Sequence, residues 1–249
     1  MSESPTLRRM RHETRRRSLR IAQIERLTPS MIRVVAGGDD LDGFHSGAPD
    51  DHVKVFVTAA DGQSAMRDYT PRRHDAAAGT LTIDFFDHVG GPASDWARAA
   101  KVGDTLEIGG PRGSQVIEGP IAHWLLIGDE TALPAIGRRV EELPEGATAT
   151  VIGAVPDAAD EQTFDSAAHV DARWVHRTDA TDPAPLLAAV ADLQLAPNTF
   201  VWIAAEAGVA RALRDHFLQG HGLDKAWIKA AGYWVAGQAD SSAKDLEQG

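Results

Sequence analysis

The feature that most constrains the fold is a change of rhythm near residue 120. Before it, short apolar or alternating runs at 19–27, 31–36, 52–58, 80–86 and 105–109 are separated by Gly, Asp and Pro. This is the pattern of strands joined by turns in a small antiparallel barrel. One helix interrupts them at 92–100, opened by Pro92 and small polar residues and closed before Gly103. Beyond residue 120, strands expected at 124–128, 148–155, 172–176, 199–205 and 226–231 alternate with helices at 131–143, 185–193 and 209–218. Such alternation implies a parallel sheet with helices on its faces. The expected fold class is two-domain, an antiparallel β-barrel followed by an α/β parallel-sheet domain. With the boundary at Glu118-Gly119-Pro120, the barrel covers 18–118 and the α/β domain 119–237, flanked by a basic tail at 1–17 and a polar tail at 238–249. A chain of 249 residues is long enough for two cores.

Charge and cysteine content narrow the chemistry. There are 25 basic and 36 acidic side chains, a net charge of −11. The arginines Arg8, Arg9, Arg11, Arg15, Arg16, Arg17 and Arg20 crowd the start of the chain, opposed there by Glu3 and Glu13, so the remainder is more acidic than the total implies. An acidic body is a poor partner for nucleic acid, whose binding rests on phosphate neutralisation. Any anionic ligand must therefore be held by a local cluster of basic groups. The chain has no cysteine, which excludes disulfides, thiolate zinc sites, cysteine-ligated iron–sulfur clusters and cysteine nucleophiles. No His/Asp/Glu cluster has metal-ligand spacing, and no metal site is expected. The basic start reads as a solvated terminus, because the apolar stretch of a targeting signal is absent: Ile21-Ala22-Gln23-Ile24-Glu25-Arg26 is amphipathic. Nothing approaches the roughly 18 apolar residues of a membrane span. A cytoplasmic monomer without membrane insertion is the simplest expectation.

Two kinds of local pattern carry chemistry. In Arg67-Asp68-Tyr69-Thr70-Pro71-Arg72-Arg73, Arg67 and Tyr69 alternate along an extended segment and share one face, with the Thr70 hydroxyl beside them. Together they offer a guanidinium to a phosphate, a ring to a flat heterocycle and a hydroxyl to a ring nitrogen. The spacing by itself favours a strand edge with one half-buried tyrosine and a polar rim. Gly128-Asp129-Glu130-Thr131 follows an expected strand and starts a helix, the place where parallel sheets bind nucleotides. It is also a capped βα turn, and it lacks the glycine fingerprint of dinucleotide binders. Ala205-Glu206-Ala207-Gly208 is a second such turn.

Taken together and in order, several segments resemble one family. They are Asp51-His52-Val53-Lys54, Arg67-x-Tyr69-Thr70, the run from His88 to Ala97, Gly103-Asp104, Gly110-Pro111-Arg112-Gly113-Ser114, the run from Gly128 to Ile136, and Gly232-Tyr233-Trp234. The chain from 18 to 237 is similar to the siderophore-interacting proteins, ferric-siderophore reductases of the ferredoxin-reductase-like superfamily. The resemblance implies FAD in the barrel and NADPH or NADH in the second domain. It implies that Arg67 holds the flavin phosphate, Tyr69 packs on the isoalloxazine and Thr70 bonds near N5. Ala93, Ser94 and Trp96 open a helix whose free N–H groups suit the pyrophosphate, and His88 contacts the cofactor. Asp129, Glu130, Thr131 and Glu206 mark the nicotinamide-nucleotide site. For a 2′-phosphate, Arg138, Arg139, Arg173, Arg177 and Arg211 are unranked candidates, with NADPH favoured by analogy. Lys54 and Arg112 match two members of the family's basic substrate group. The third is replaced by Val235 and Ala236, leaving Lys229 or Arg72 as substitutes. The implied partner is a ferric siderophore or other ferric chelate, reduced without a proton-donating or nucleophilic side chain, so that no catalytic residue is named. A general flavin or ferredoxin-type NAD(P)H reductase and a non-enzymatic siderophore-binding protein are the competing readings.

Overall fold

The computed structural model describes residues 4–58, 62–238 and 241–242. In chain order the first half contains β1 (Thr6–Arg11), β2 (Arg16–Thr28), β3 (Met31–Gly37), β4 (Val53–Thr58), β5 (Ser64–Tyr69), β6 (Arg73–Asp75), β7 (Thr80–Phe86), α1 (Pro92–Ala99), β8 (Thr105–Gly109) and β9 (Gly113–Glu118). Contacts divide the chain into two units, Arg8–Val116 and Met1–Leu7 with Ile117–Gly249.

In the Arg8–Val116 unit a seven-stranded antiparallel sheet runs in the order β5-β4-β8-β2-β3-β7-β6. Alternation makes it: Leu19 and Ile21 of β2, Ile32 and Val34 of β3, Val53, Val55 and Val57 of β4, Ile83 and Phe85 of β7, and Leu106 and Ile108 of β8 all turn into one core. Ala93 and Ala97 of α1 join it. The sheet is rolled, so that Tyr69 on edge strand β5 meets Phe85 of β7, ring centroids 4.4 Å apart.

The basic start is not a tail over 1–17. β1 pairs with β9 in a two-stranded ribbon, and β2 is already a strand at Arg16. A side chain at position 113 would lie 2.2 Å from the Met10 carbonyl, so Gly113 is what lets β1 approach. Arg17 faces inward at 5% exposure, donating to the carbonyls of Asp40 and Asp42. Arginines in alternating positions of a strand satisfy both a wet and a dry face, and composition alone hides that.

The second unit adds β10 (His123–Gly128), α2 (Leu133–Glu141), β11 (Thr148–Val155), β12 (His169–His176), α3 (Ala184–Val190), β13 (Thr199–Glu206), α4 (Ala207–Asp215) and β14 (Ile228–Trp234). Its five strands are parallel, in the order β12-β11-β10-β13-β14. The chain starts at β10, moves outward to β12, and then returns to the other side of β10. That reversal puts a crevice at the carboxyl ends of β10 and β13. The expected C-terminal tail at 238–249 lies outside the described residues except for 238, 241 and 242. No helix among the described residues is long and apolar enough to cross a membrane.

Candidate functional site

Strand register decides which side chains of the first unit share a face. β5 pairs with β4 so that Tyr69 is opposite Val53, Asp68 opposite Lys54 and Arg67 opposite Val55. Directly opposed residues project from the same face. Arg67 and Tyr69 therefore stand on the side of the buried valines. Behind Tyr69 the aromatic stack continues from Phe85 to Trp96, centroids 5.5 Å apart, so the tyrosine ring rests on a fixed wall. Burial pushes the Tyr69 phenol well above its ordinary range, against the opposing pull of Arg67. It stays neutral.

The polar groups beside this ring are left open. The Arg67 guanidinium donates to the Met66 carbonyl at 2.8 Å and has no carboxylate partner among the described residues. Thr70 is only 7% exposed, yet its hydroxyl bonds to no described residue. By contrast Arg72, two residues on, is buried and lies 3.7 Å from Asp84, which Arg33 also grips through two bonds of 2.7 Å. That pairing removes Arg72 as the substitute third basic group.

α1 starts at Gly91 with Pro92 in its first turn and no side-chain cap. The N–H groups of Ala93 and Ser94 thus receive no acceptor from the helix itself. The side chains of both are buried, and the Ser94 hydroxyl is occupied, donating to the Phe86 carbonyl at 2.8 Å. Only their backbone is on offer to a ligand. A side chain at position 91 would be 2.5 Å from the His88 ring, so Gly91 lets that exposed imidazole fold over the start of the helix. A neutral aromatic wall, a guanidinium without a carboxylate partner, a hydroxyl without a described partner and uncapped helix N–H groups form a donor set that fits a flavin nucleotide.

Lys54 and Asp68 project from the opposite face. Their side chains are 27% and 24% exposed, and Lys54 Nζ lies 3.1 Å from Asp68 Oδ1. Tyr69 ends β5 and Lys54 is the second residue of β4, so both sit at one rim of the sheet without sharing a face. Arg112 is exposed, and its guanidinium has no partner among the described residues.

In the second unit, the expected nucleotide residues are occupied by one another. Asp129, 1% exposed, accepts through Oδ1 from the Thr131 N–H (3.0 Å) and hydroxyl (2.5 Å). Its Oδ2 accepts from the Glu206 N–H and the Trp234 indole, each at 2.9 Å. One carboxylate thereby joins the ends of β10, β13 and β14. Glu206 caps α4, accepting from Gly208 and Val209, and also takes the Ala236 N–H at 3.2 Å. Glu130 forms a buried ion pair with Arg177 at 2.7 Å. Burial and the neighbouring Asp129 charge push its carboxyl up to about 7, although Arg177 pulls the other way. Trp234, absent from the expected site residues, is thus as much part of this corner as Asp129; the Gly-Tyr-Trp motif is where it was visible. Of the five candidate arginines, Arg138 pairs with Glu142, Arg173 with Asp171 and Arg177 with Glu130, while Arg139 lies over the Trp124 ring. Arg211, exposed in α4, has no partner among the described residues.

Comparison with known proteins agrees with this division of labour. Residues 20–65 and 58–115 match the siderophore-interacting FAD-binding domain, and residues 121–237 match the siderophore-interacting protein model. The chain is 35% identical over 251 residues to the NADPH-dependent ferric-chelate reductase of Escherichia coli (strain K12), covering 92% of this chain and 96% of that one. It is 28% identical to the ferric acinetobactin reductase of Acinetobacter baumannii, over 91% of this chain and 80% of the relative. The crystal structure of a siderophore utilization protein from T. fusca superposes with a TM-score of 0.86 at 34% identity, over 97% of this chain and 100% of that chain. With both halves matched in order and the flavin-fitting donor set in the half that carries the FAD-binding match, the chain belongs to the siderophore-interacting protein family.

Proposed function

We propose that this chain is a FAD-dependent, NAD(P)H-driven ferric-siderophore reductase that releases iron as Fe(II). The observation that carries the proposal is the open donor set of Arg67, Thr70 and the α1 N–H groups around the Tyr69 ring. FAD, when bound, would supply the conversion between the two-electron chemistry of a nicotinamide and the one-electron reduction of ferric iron. The residues orient and neutralise. Arg67 supplies the counter-charge for a phosphate, and Tyr69 on its Phe85–Trp96 support fixes the ring plane. Thr70 donates or accepts one hydrogen bond at the ring edge, and Ala93 and Ser94 present backbone N–H groups, with His88 beside them. Lys54 and Arg112 hold the ferric chelate. Hard oxygen donors grip Fe(II) less tightly than Fe(III), so reduction loosens the complex.

In this reading the flavin domain spans 18–118 and the nicotinamide domain 119–237. Asp129, Glu130, Thr131 and Glu206 shape the nucleotide crevice through their mutual bonds, and Arg211 is the cation available for the 2′-phosphate of NADPH. The relative's name supports NADPH over NADH. The protein works in the cytoplasm, where the nicotinamide pool is, as a monomer.

One assay tests the whole reading. The purified protein carries or takes up FAD, seen in its visible spectrum, and oxidises NADPH faster than NADH only when a ferric siderophore is present, with Fe(II) captured by a ferrous trap. Failure to take up FAD removes every enzyme reading. Nicotinamide oxidation without chelate-dependent Fe(II) leaves a general flavin reductase.

A further inference from the structure

On the outer face of the first unit, strand register lines up Asp68 of β5, Lys54 of β4, Gly109 of β8 and Arg16 of β2 in one row. Both cations in it are matched. Lys54 is paired with Asp68 at 3.1 Å, and Arg16 forms an ion pair with Glu107 while lying 4.2 Å over the Phe56 ring. Gly109 contributes no side chain between them. The row and its neighbour thus hold two positive and two negative groups that balance one another.

We propose that Asp68 is a specificity-determining residue: by holding Lys54 in an ion pair it lowers the preference of this rim for trianionic triscatecholates over ferric chelates without net charge, of the trishydroxamate kind. This rests on Lys54 meeting the chelate, as read above. The electrostatics are direct. An approaching trianion is attracted by Lys54 Nζ and repelled by a carboxylate only 3.1 Å from it, so these two effects nearly cancel and Arg112 is left as the cation that attracts it. A neutral chelate loses nothing by the pairing, and can still hydrogen-bond to either partner. The device works on the relative use of differently charged substrates, not on delivery of electrons from the nicotinamide.

The test compares kcat/KM for a neutral ferric trishydroxamate and a trianionic ferric triscatecholate in four proteins: wild type, Asp68→Asn, Lys54→Met and the double variant. Taking each chelate relative to its own wild-type value cancels differences in iron potential. Asp68→Asn is expected to raise use of the trianion roughly three- to tenfold at low salt, as one unmasked unit charge predicts. Use of the neutral chelate changes by less than about twofold, and the double variant loses the gain. No rise in trianion use, or an equal rise for both chelates, overturns the role of Asp68 while leaving Lys54 as a substrate contact if Lys54→Met still slows the reaction. If Lys54→Met changes neither chelate, the substrate reading of Lys54 falls, and this inference with it. A salt series guards against misfolded variants: between about 0.02 and 0.5 M salt the trianion-to-neutral ratio should fall more steeply in Asp68→Asn than in wild type, a difference that loss of folded protein does not produce. Equal slopes in the two proteins would overturn the proposal.

Discussion

The two units solve opposite problems with the same kinds of side chain. In the first, Arg67 and the Thr70 hydroxyl lie beside an aromatic wall with no side-chain partner among the described residues, Arg67 bonding only to the adjacent Met66 carbonyl. In the second, Asp129, Glu130, Thr131, Glu206 and Arg177 are tied to one another, and Asp129 alone accepts four hydrogen bonds. Polar groups left unpaired in a largely buried place cost stability unless a ligand completes them. Polar groups fully paired contribute to the fold and leave little for a ligand. The first unit thus reads as a socket formed in advance, and the second as a crevice whose shape is fixed by a polar knot beneath it.

The most damaging way to challenge that contrast is to cut the knot. Asp129→Ala strands the Glu206 N–H and the Trp234 indole, so the loss of stability is expected at about 4 kcal/mol in urea or thermal unfolding. A loss under about 1 kcal/mol would mean the knot is replaceable by water. The converse change in the first unit, Arg67→Ala, should leave stability within about 0.5 kcal/mol, because the one described bond of that guanidinium is an exposed one to the adjacent Met66 carbonyl. FAD affinity should fall about 50-fold, read by flavin fluorescence titration. Unaltered affinity would dissolve the socket reading.

The mildest test uses protons. The Glu130 carboxyl titrates at about 7 in the folded protein against an ordinary value of 4.5, so the native state binds the proton more tightly than the unfolded one. Stability from this group is therefore complete below the unfolded value and is lost as pH rises from about 4.5 to about 7. Relative to Glu130→Gln, the wild type should lose about 3 kcal/mol as pH rises through that interval and then level off. A wild type that gains on the variant over the same range would show that Arg177 dominates the pair.

What could be read from the chain follows from how far each interaction reaches. The change from antiparallel to parallel strands, the helix at 92 and the shared face of Arg67 and Tyr69 all rest on local periodicity, and the fold repeats them closely. β1 and β9 escaped because their arginines and polar residues conceal an alternation that shows itself only once the two strands pair. The bonds from Asp129 reach 77 and 105 residues along the chain to Glu206 and Trp234, beyond any local pattern. Lys54 likewise reads as an available cation until register sets Asp68 opposite it. Residues expected to touch the nucleotide through Gly128-Asp129-Glu130-Thr131 were correctly placed at the end of a strand; what spacing alone could not reveal was how completely their side chains are spent on each other.

The wall behind Tyr69 has an optical consequence. Of the six tryptophans in the chain, Trp96 is the one in the first unit, and it stands one ring away from Tyr69 through Phe85. An isoalloxazine absorbs where indole emits, so a flavin seated on that wall would quench Trp96 strongly. A protein with its other tryptophans replaced by phenylalanine would therefore report cofactor arrival through a single built-in lamp, without any added dye.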